Sequence, residues 1–223
     1  MNQDNPLYIV YKHIVELTKS GSFTWCNHVR NILNSAGLNS LWIDHINYVS
    51  PNLIRNQLSN FGDTLRTKYK IEWENEINNP IKNPILRTYR LFKNTHSMEK
   101  YLLCTRDKRY RNALSKLRVS SHQLEIEKGR HFNPVIPESE RICKFCNSGL
   151  IDNELHFITS CDFISHERHL LIRSVSEHIT ISYPLALDFF IELFVSRNDD
   201  VITALSKFIY ISFKKRESHI VPD

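Results

Sequence analysis

The sequence predicts a mainly α protein, a helical bundle-like scaffold interrupted by one small cysteine-histidine element, and three observations lead there. The 223 residues include five glycines and no Asn-Gly or Asp-Gly pair, so tight hairpins, which need residues tolerating positive φ, have few places to form. Apolar residues recur three and four positions apart over most of the chain, the period of one helix face. Three of the five cysteines fall within the nineteen residues from Cys143 to Cys161, beside His156.

The N-terminal region, 1–80, reads as three helices. Leu7, Val10, Tyr11, Ile14, Val15 and Leu17 give an amphipathic helix ending near Ser20-Gly21. A second starts near Ser22, with Trp25, Val29, Ile32 and Leu33 on one face, and ends at Ser35-Ala36-Gly37, where glycine suits a C-terminal cap. A longer helix follows Ser50 as N-cap with Pro51 in its first turn. It carries Leu53, Ile54, Leu58, Phe61, Leu65, Tyr69 and Trp73, with a break near Gly62-Asp63. Glu72, Glu74 and Glu76 are spread around this helix and do not converge. Asn78 to Pro84 reads as a loop.

Residues 81–131 form a basic helical segment: Ile85–Phe92, a short helix around Ser97–Leu103, and a stronger one over Asp107–Ser121. In the last, Tyr110, Ala113, Leu114 and Leu117 fit the helical template, which leaves Lys108, Arg111 and Arg118 away from the stripe and Arg109 and Lys116 on its flank. Gly129–Pro137 breaks the pattern before the cysteine element, 132–170. The C-terminal region, 171–223, completes three helices: Phe163–His178, which begins inside the cysteine element, Pro184–Val195 and Val201–Phe213. Asp199-Asp200 reads as an N-cap and its neighbour.

The net charge of +5 is unevenly distributed. Residues 1–80 balance at zero, 81–131 carry +9 and 132–223 carry −4, so all the excess positive charge sits in the middle. That asymmetry suits a polyanion-binding surface, although a solvated helix face can be basic for solubility alone. The composition, with 41% hydrophobic and 24% charged residues, is that of an ordinary globular protein. No run approaches the roughly 18 apolar residues of a membrane span, and the first twenty residues lack a secretory pattern. The expected setting is therefore intracellular.

Cys143, Cys146, His156 and Cys161 have the spacing of a structural zinc site: a Cys-x-x-Cys turn, nine residues, a histidine, four residues and a cysteine. Four protein ligands leave no place for an exchangeable water, so the expected cofactor is structural zinc. The competing reading is a set of packed free thiols, and His166 or His169 could replace His156. Cys26 and Cys104 read as plain buried thiols. The chain has no glycine-rich phosphate loop, nucleophile elbow, His-Glu-x-x-His pair or convergent carboxylates, so no enzyme activity and no small-molecule substrate are expected.

The strings ILRTYRLFKNTHSMEKYLL (85–103), RNALSKLRVSSHQLEIEKGRH (111–131), ERICKFC (140–146), NELHFITSC (153–161) and KFIYISFKKR (207–216), with FTWCNHVRNILNSAGLNSLW (23–42), resemble the C-terminal region of the reverse transcriptase polyprotein of LINE-type (non-LTR) retrotransposons. The resemblance implies a helical segment from beyond the polymerase, with Cys143, Cys146, His156 and Cys161 as zinc ligands, that helps hold RNA or DNA. The family's polymerase and endonuclease have no counterpart in these residues.

The expected function is a nucleic-acid-binding accessory module of low sequence specificity. Its phosphate contacts are expected at Arg87, Arg90, Lys93, Arg106, Lys108, Arg109, Arg111, Lys116 and Arg118. Tyr89, Phe92, Tyr101 and Tyr110 are interleaved with them, either as stacking platforms for bases or as core. The rival expectations are a docking domain for a polymerase the chain has lost and a transposon remnant without function.

Overall fold

The computed structural model describes residues 6–39, 55–56, 59 and 61–219. The chain divides into two compact units, Met1–Glu72 and Trp73–Asp223. The expected all-α class is what the described residues show: helices and short 3-10 turns, no strand, and a single isolated bridge between Ile142 and Ile151.

In the first unit, α1 (Pro6–Lys19) pairs with α2 (Trp25–Ser35). The second helix starts three residues later than the sequence suggests because Thr24 is its cap. The Thr24 hydroxyl accepts from Cys26 N at 3.2 Å, and Asn27 Oδ1 accepts from Thr24 N at 2.7 Å, which satisfies two otherwise orphaned amides. Val15, Cys26 and Leu33 are buried between the two helices, whereas Trp25 and Ile32 are exposed. Then α3 runs unbroken from Phe61 to Ile77 through Gly62-Asp63. The expected cap at Ser50-Pro51 and the side chains of Leu7, Leu53, Ile54 and Leu58 lie outside the described residues.

The second unit holds the larger core. Its elements are α4 (Tyr89–Phe92), α5 (Tyr101–Cys104), α6 (Lys108–Arg118), α7 (Glu125–Lys128), α8 (Glu154–Thr159), α9 (Ser165–Val175), α10 (Leu187–Val195) and α11 (Asp199–His219). The basic segment, the cysteine element and the C-terminal helices share this one core. At its centre α11 packs along α6 and α9, while α10 covers α4, α8 and α11. Leu114 and Leu117 of α6 meet Leu205 and Ile209 of α11 in the same buried cluster with Phe157, Phe190 and Leu193. Each such side chain, fully buried, contributes about 1.5–3 kcal/mol of transfer free energy.

Local chemistry sets the ends of these helices. Asp107 caps α6 by accepting from Arg109 N at 2.8 Å, and the helix stops at Arg118 because Ser120 turns left-handed at φ 52°. The cap of α11 is Asn198, whose Oδ1 accepts from Asp200 N at 2.8 Å and Val201 N at 3.3 Å. Asp199 and Asp200 occupy its first turn instead, where their charge complements the helix dipole. This helix also runs six residues beyond Phe213, and that extension carries Arg216 into the core.

Candidate metal centre and basic face

The four residues singled out by spacing converge. The ligand atoms of Cys143, Cys146, His156 and Cys161 all lie within 4.8 Å of one another. Cys143 and Cys146 sit on a knuckle held shut by Cys143 N donating to Leu150 O at 2.9 Å and Asp152 N donating to Arg141 O at 2.9 Å, with Gly149 supplying the positive φ of 68° at the turn. His156 comes from the first turn of α8, where Asn153 Oδ1 caps its amide at 2.8 Å. Cys161 lies just past the end of that helix.

Two of the spacings suit a tetrahedron. Thiolates about 2.3 Å from a central zinc stand about 3.7 Å apart, and Cys143 Sγ to Cys161 Sγ is 3.9 Å while Cys146 Sγ to His156 Nε2 is 3.4 Å. His156 Nδ1 lies 2.9 Å from Ser160 Oγ, which orients the ring so that Nε2 faces the thiols. All five cysteines are free thiols, and His166 and His169 lie outside the cluster.

The thiols of the site are pushed in opposite directions. Cys161 is pulled down to about 3 by its hydrogen bond with Cys143, and further by His156 and Arg216, against the opposing effect of burial. Cys143, the other member of that pair, is pushed up by the same hydrogen bond and by burial. The two share a proton that a cation would displace.

Arg216 was not legible as part of this site. Its Nη2 lies 3.2 Å from Cys161 Sγ and 3.6 Å from Cys143 Sγ, and its Nη1 lies 2.9 Å from Asp152 Oδ1. The guanidinium packs between the rings of Phe145 and Phe157, at 4.6 and 4.8 Å. Arg168 donates to the carbonyls of Ile158 and Cys161 from the other side. A divalent ion held by three thiolates would carry one net negative charge, and buried Arg216, shared with Asp152, would lie against it. A signal for it exists in the sequence: Leu205, Ile209, Ser212 and Arg216 fall on one helical stripe, so a cation stands where an apolar residue is expected.

The nine basic residues separate into two groups. Arg106, Lys108, Arg109 and Lys116 are exposed at the start and along one flank of α6. The expectation of an outward Arg118 is corrected: it is 4% exposed, four residues after Leu114 and therefore on the same face. Its Nη2 pairs with Glu99 at 2.8 Å, its Nη1 donates to Phe194 O at 3.1 Å, and its plane lies 4.3 Å from the Phe92 ring centre. Lys93 is buried beside it, 2.7 Å from Glu99 Oε1 in an ion pair off the hydrogen-bonding direction.

Arg87 is also drawn inward. It donates to both oxygens of Glu154, at 2.9 and 2.8 Å, and pairs with Glu127. Glu154, 2% exposed, also receives Ser120 Oγ and meets His122 Nε2, each at 2.9 Å. Burial opposes its ionisation, but His122 and Arg87 hold its carboxyl down to about 2. Arg90 donates to the carbonyls of Ile77, Asn79 and Asn83, and Arg111 donates to Thr105 O at 2.9 Å, so both close loops. Of the interleaved aromatics, Phe92 and Tyr101 are core, and Tyr89 and Tyr110 are half-buried.

No protein-family model, curated protein or solved structure matches the chain. Among the described residues no helix is long and apolar enough to cross a membrane. What the site offers chemically is therefore argued from its own geometry: a cysteine-histidine cluster that could hold a metal ion, and a short row of exposed cations at the start and along one flank of α6.

Proposed function

We propose that the chain is a zinc-stabilised accessory module that binds RNA or DNA with little sequence preference. Zinc is the ion that the donor set supports, since three thiolates and an imidazole suit a borderline-soft cation with four tetrahedral ligands. Bound there, it would lock the Cys143–Cys146 knuckle onto α8 and supply no catalytic step.

The single observation that carries the nucleic-acid reading is the set of exposed cations Lys108, Arg109 and Lys116 on α6, which is packed against α11, together with Arg106 just before that helix. A fixed row of cations neutralises phosphates at little ordering cost and reads no sequence. The retrotransposon origin belongs to the same proposal and rests on the strings in 85–161 and 207–216. Equilibrium titration of the zinc-loaded chain against unrelated RNA and DNA oligonucleotides over a range of salt tests it. The proposal expects similar affinities that fall steeply as salt rises, and binding absent at about 50 mM salt refutes it.

One observation favours a second reading, docking to a protein. Met98 and Leu103, each 72% exposed, stand with Val195 around a cavity of about 520 Å³ lined by Phe92 and Phe194. A contact carried by those exposed apolar side chains keeps its affinity as salt rises, so the same titration series separates the two.

A further inference from the structure

The free cations of α6 do not stand alone. Arg109, Asn112 and Lys116 are spaced i, i+3, i+7 and share one helix face. On α11 the residues Tyr210, Phe213, Lys214 and Glu217 form the facing stripe. Between them lies a groove of about 380 Å³, lined also by Ala113 and buried His122.

The groove wall carries unspent hydrogen-bonding capacity. Among the described residues the Asn112 and Gln123 amides, the Tyr210 hydroxyl and the Lys116 ammonium make no hydrogen bond or ion pair. Arg109 pairs with Asp107 at 2.8 Å and Lys214 with Glu217 at 2.6 Å, both at the exposed surface. Such pairs contribute little and yield to a phosphate, which offers stronger acceptors. The ring of Tyr210 stands 5.3 Å from that of Tyr110 and 5.6 Å from the Arg109 guanidinium.

We infer that this groove seats one nucleotide of a single strand, its base beside Tyr210 and within reach of the Asn112 and Gln123 amides, its flanking phosphates on Arg109, Lys116 and Lys214. Three features converge on that occupant. The cations demand an anion, the aromatic rings provide a platform for a planar group, and two free amides can both donate to and accept from a base edge. A duplex presents phosphates to the rim but cannot insert a base between the helices, so the groove prefers single strands. The inference deepens the nucleic-acid reading above and rests on it.

The test uses the full zinc-loaded chain and fluorescently labelled oligonucleotides of mixed sequence: single-stranded RNA, single-stranded DNA and the matching DNA duplex. The expected result is tighter binding of single strands than of duplex. Tyr210→Ala weakens single-strand binding about 5- to 150-fold, the range for loss of one base–aromatic stack, and leaves duplex binding unchanged. Tyr210→Phe, which keeps the ring, retains most of it. Asn112→Ala with Gln123→Ala, both at exposed positions, reproduces part of the loss if Tyr210→Ala does not fold. Ultraviolet cross-linking of the wild type to RNA, read by mass spectrometry, places the adduct on Tyr210 or its groove neighbours. Equal affinity for single and double strands, with no effect of either variant and the adduct elsewhere, overturns the groove while leaving the nucleic-acid reading standing. No binding of any oligonucleotide by the wild type overturns both.

Discussion

Arg216 Nη2 stands 3.2 Å from Cys161 Sγ while Nη1 of the same guanidinium stands 2.9 Å from Asp152 Oδ1. One buried cation therefore joins the cysteine cluster to the last turns of α11, the helix that also forms one wall of the basic groove. If the cluster is loaded as proposed, metal binding and the order of that wall are expected to be coupled through this side chain.

Replacing Arg216 with Met removes the charge that balances the thiolates and strands Asp152 in the core. Zinc affinity, measured by competition with a chelating dye, is expected to fall about 10- to 100-fold, the usual range for loss of an outer partner of a metal ligand. Stability in denaturant is expected to fall by about 3–5 kcal/mol, since breaking a buried pair leaves one charge uncompensated. Unchanged zinc affinity would show that Arg216 serves packing alone.

The network around Glu154 makes a separate prediction. Glu154→Leu leaves Arg87, Ser120 and His122 without their shared acceptor, at a cost of about 3–5 kcal/mol in urea unfolding. Arg87→Gln is expected to be destabilising too, with no change in the salt slope of nucleic-acid binding. Loss of binding in Arg87→Gln at full stability would return this residue to the surface.

Among the basic residues, α6 offers an internal control. Lys116→Gln and Arg106→Gln are expected to lower the slope of log affinity against log salt by about 0.7–0.9 each, with stability unchanged. Arg118→Gln is expected to do the reverse, costing about 3–5 kcal/mol through its buried pair with Glu99 and leaving the slope alone. Calorimetric or denaturant stability measured beside the binding isotherms distinguishes the two classes.

Gly129 is a site of close approach. A Cβ there falls 2.6 Å from Arg141 Cδ and Nε, and Arg141 is buried with its guanidinium on the carbonyls of Ile126 at 2.7 Å and Ile136 at 2.9 Å. Gly129→Ala is expected to destabilise by about 1–3 kcal/mol, because the side chain it displaces is pinned at its far end. A neutral effect in thermal unfolding would mean that Arg141 has another place to go.

Acid weakens the start of α6 in a defined window. Its cap, Asp107, is held down to about 2 from an ordinary 3.8 by its side-chain and backbone hydrogen bonds with Arg109. A depressed carboxylate contributes stability above its unfolded value and loses it as pH falls through the folded one. The stability difference between wild type and Asp107→Ala should be full above about pH 5, fall as pH drops through about 2, and be smallest near pH 1. A difference undiminished at about pH 1 would show that the charge on Asp107 is irrelevant to the cap.

These predictions mark where sequence and structure part. The convergence of Cys143, Cys146, His156 and Cys161 was legible because the four lie within nineteen residues at a spacing that brings them together. The helical class was legible from periodicity. Arg118 was misplaced because a basic residue was assumed to face water, although it falls on the apolar stripe of its own helix, and Arg216 was missed because the expected helix stopped at Phe213. Arg87 could not be read at all, since its partner Glu154 is 67 residues away and only the tertiary fold brings them together. The second helix's start and the cap of α11 turned on single side chains, Thr24 and Asn198, which compete with equally plausible neighbours in the sequence.

The central claim is that Cys143, Cys146, His156 and Cys161 hold one metal ion that completes the fold. Elemental analysis of the purified chain, alongside circular dichroism before and after chelation, tests it most directly. The account predicts about one zinc per chain, loss of stoichiometric metal in Cys146→Ser, and loss of structure on chelation, since structural zinc contributes about 10–16 kcal/mol in peptides. Full metal content in Cys146→Ser, or a chain free of metal whose spectrum and melting are unaffected by chelator, would contradict it.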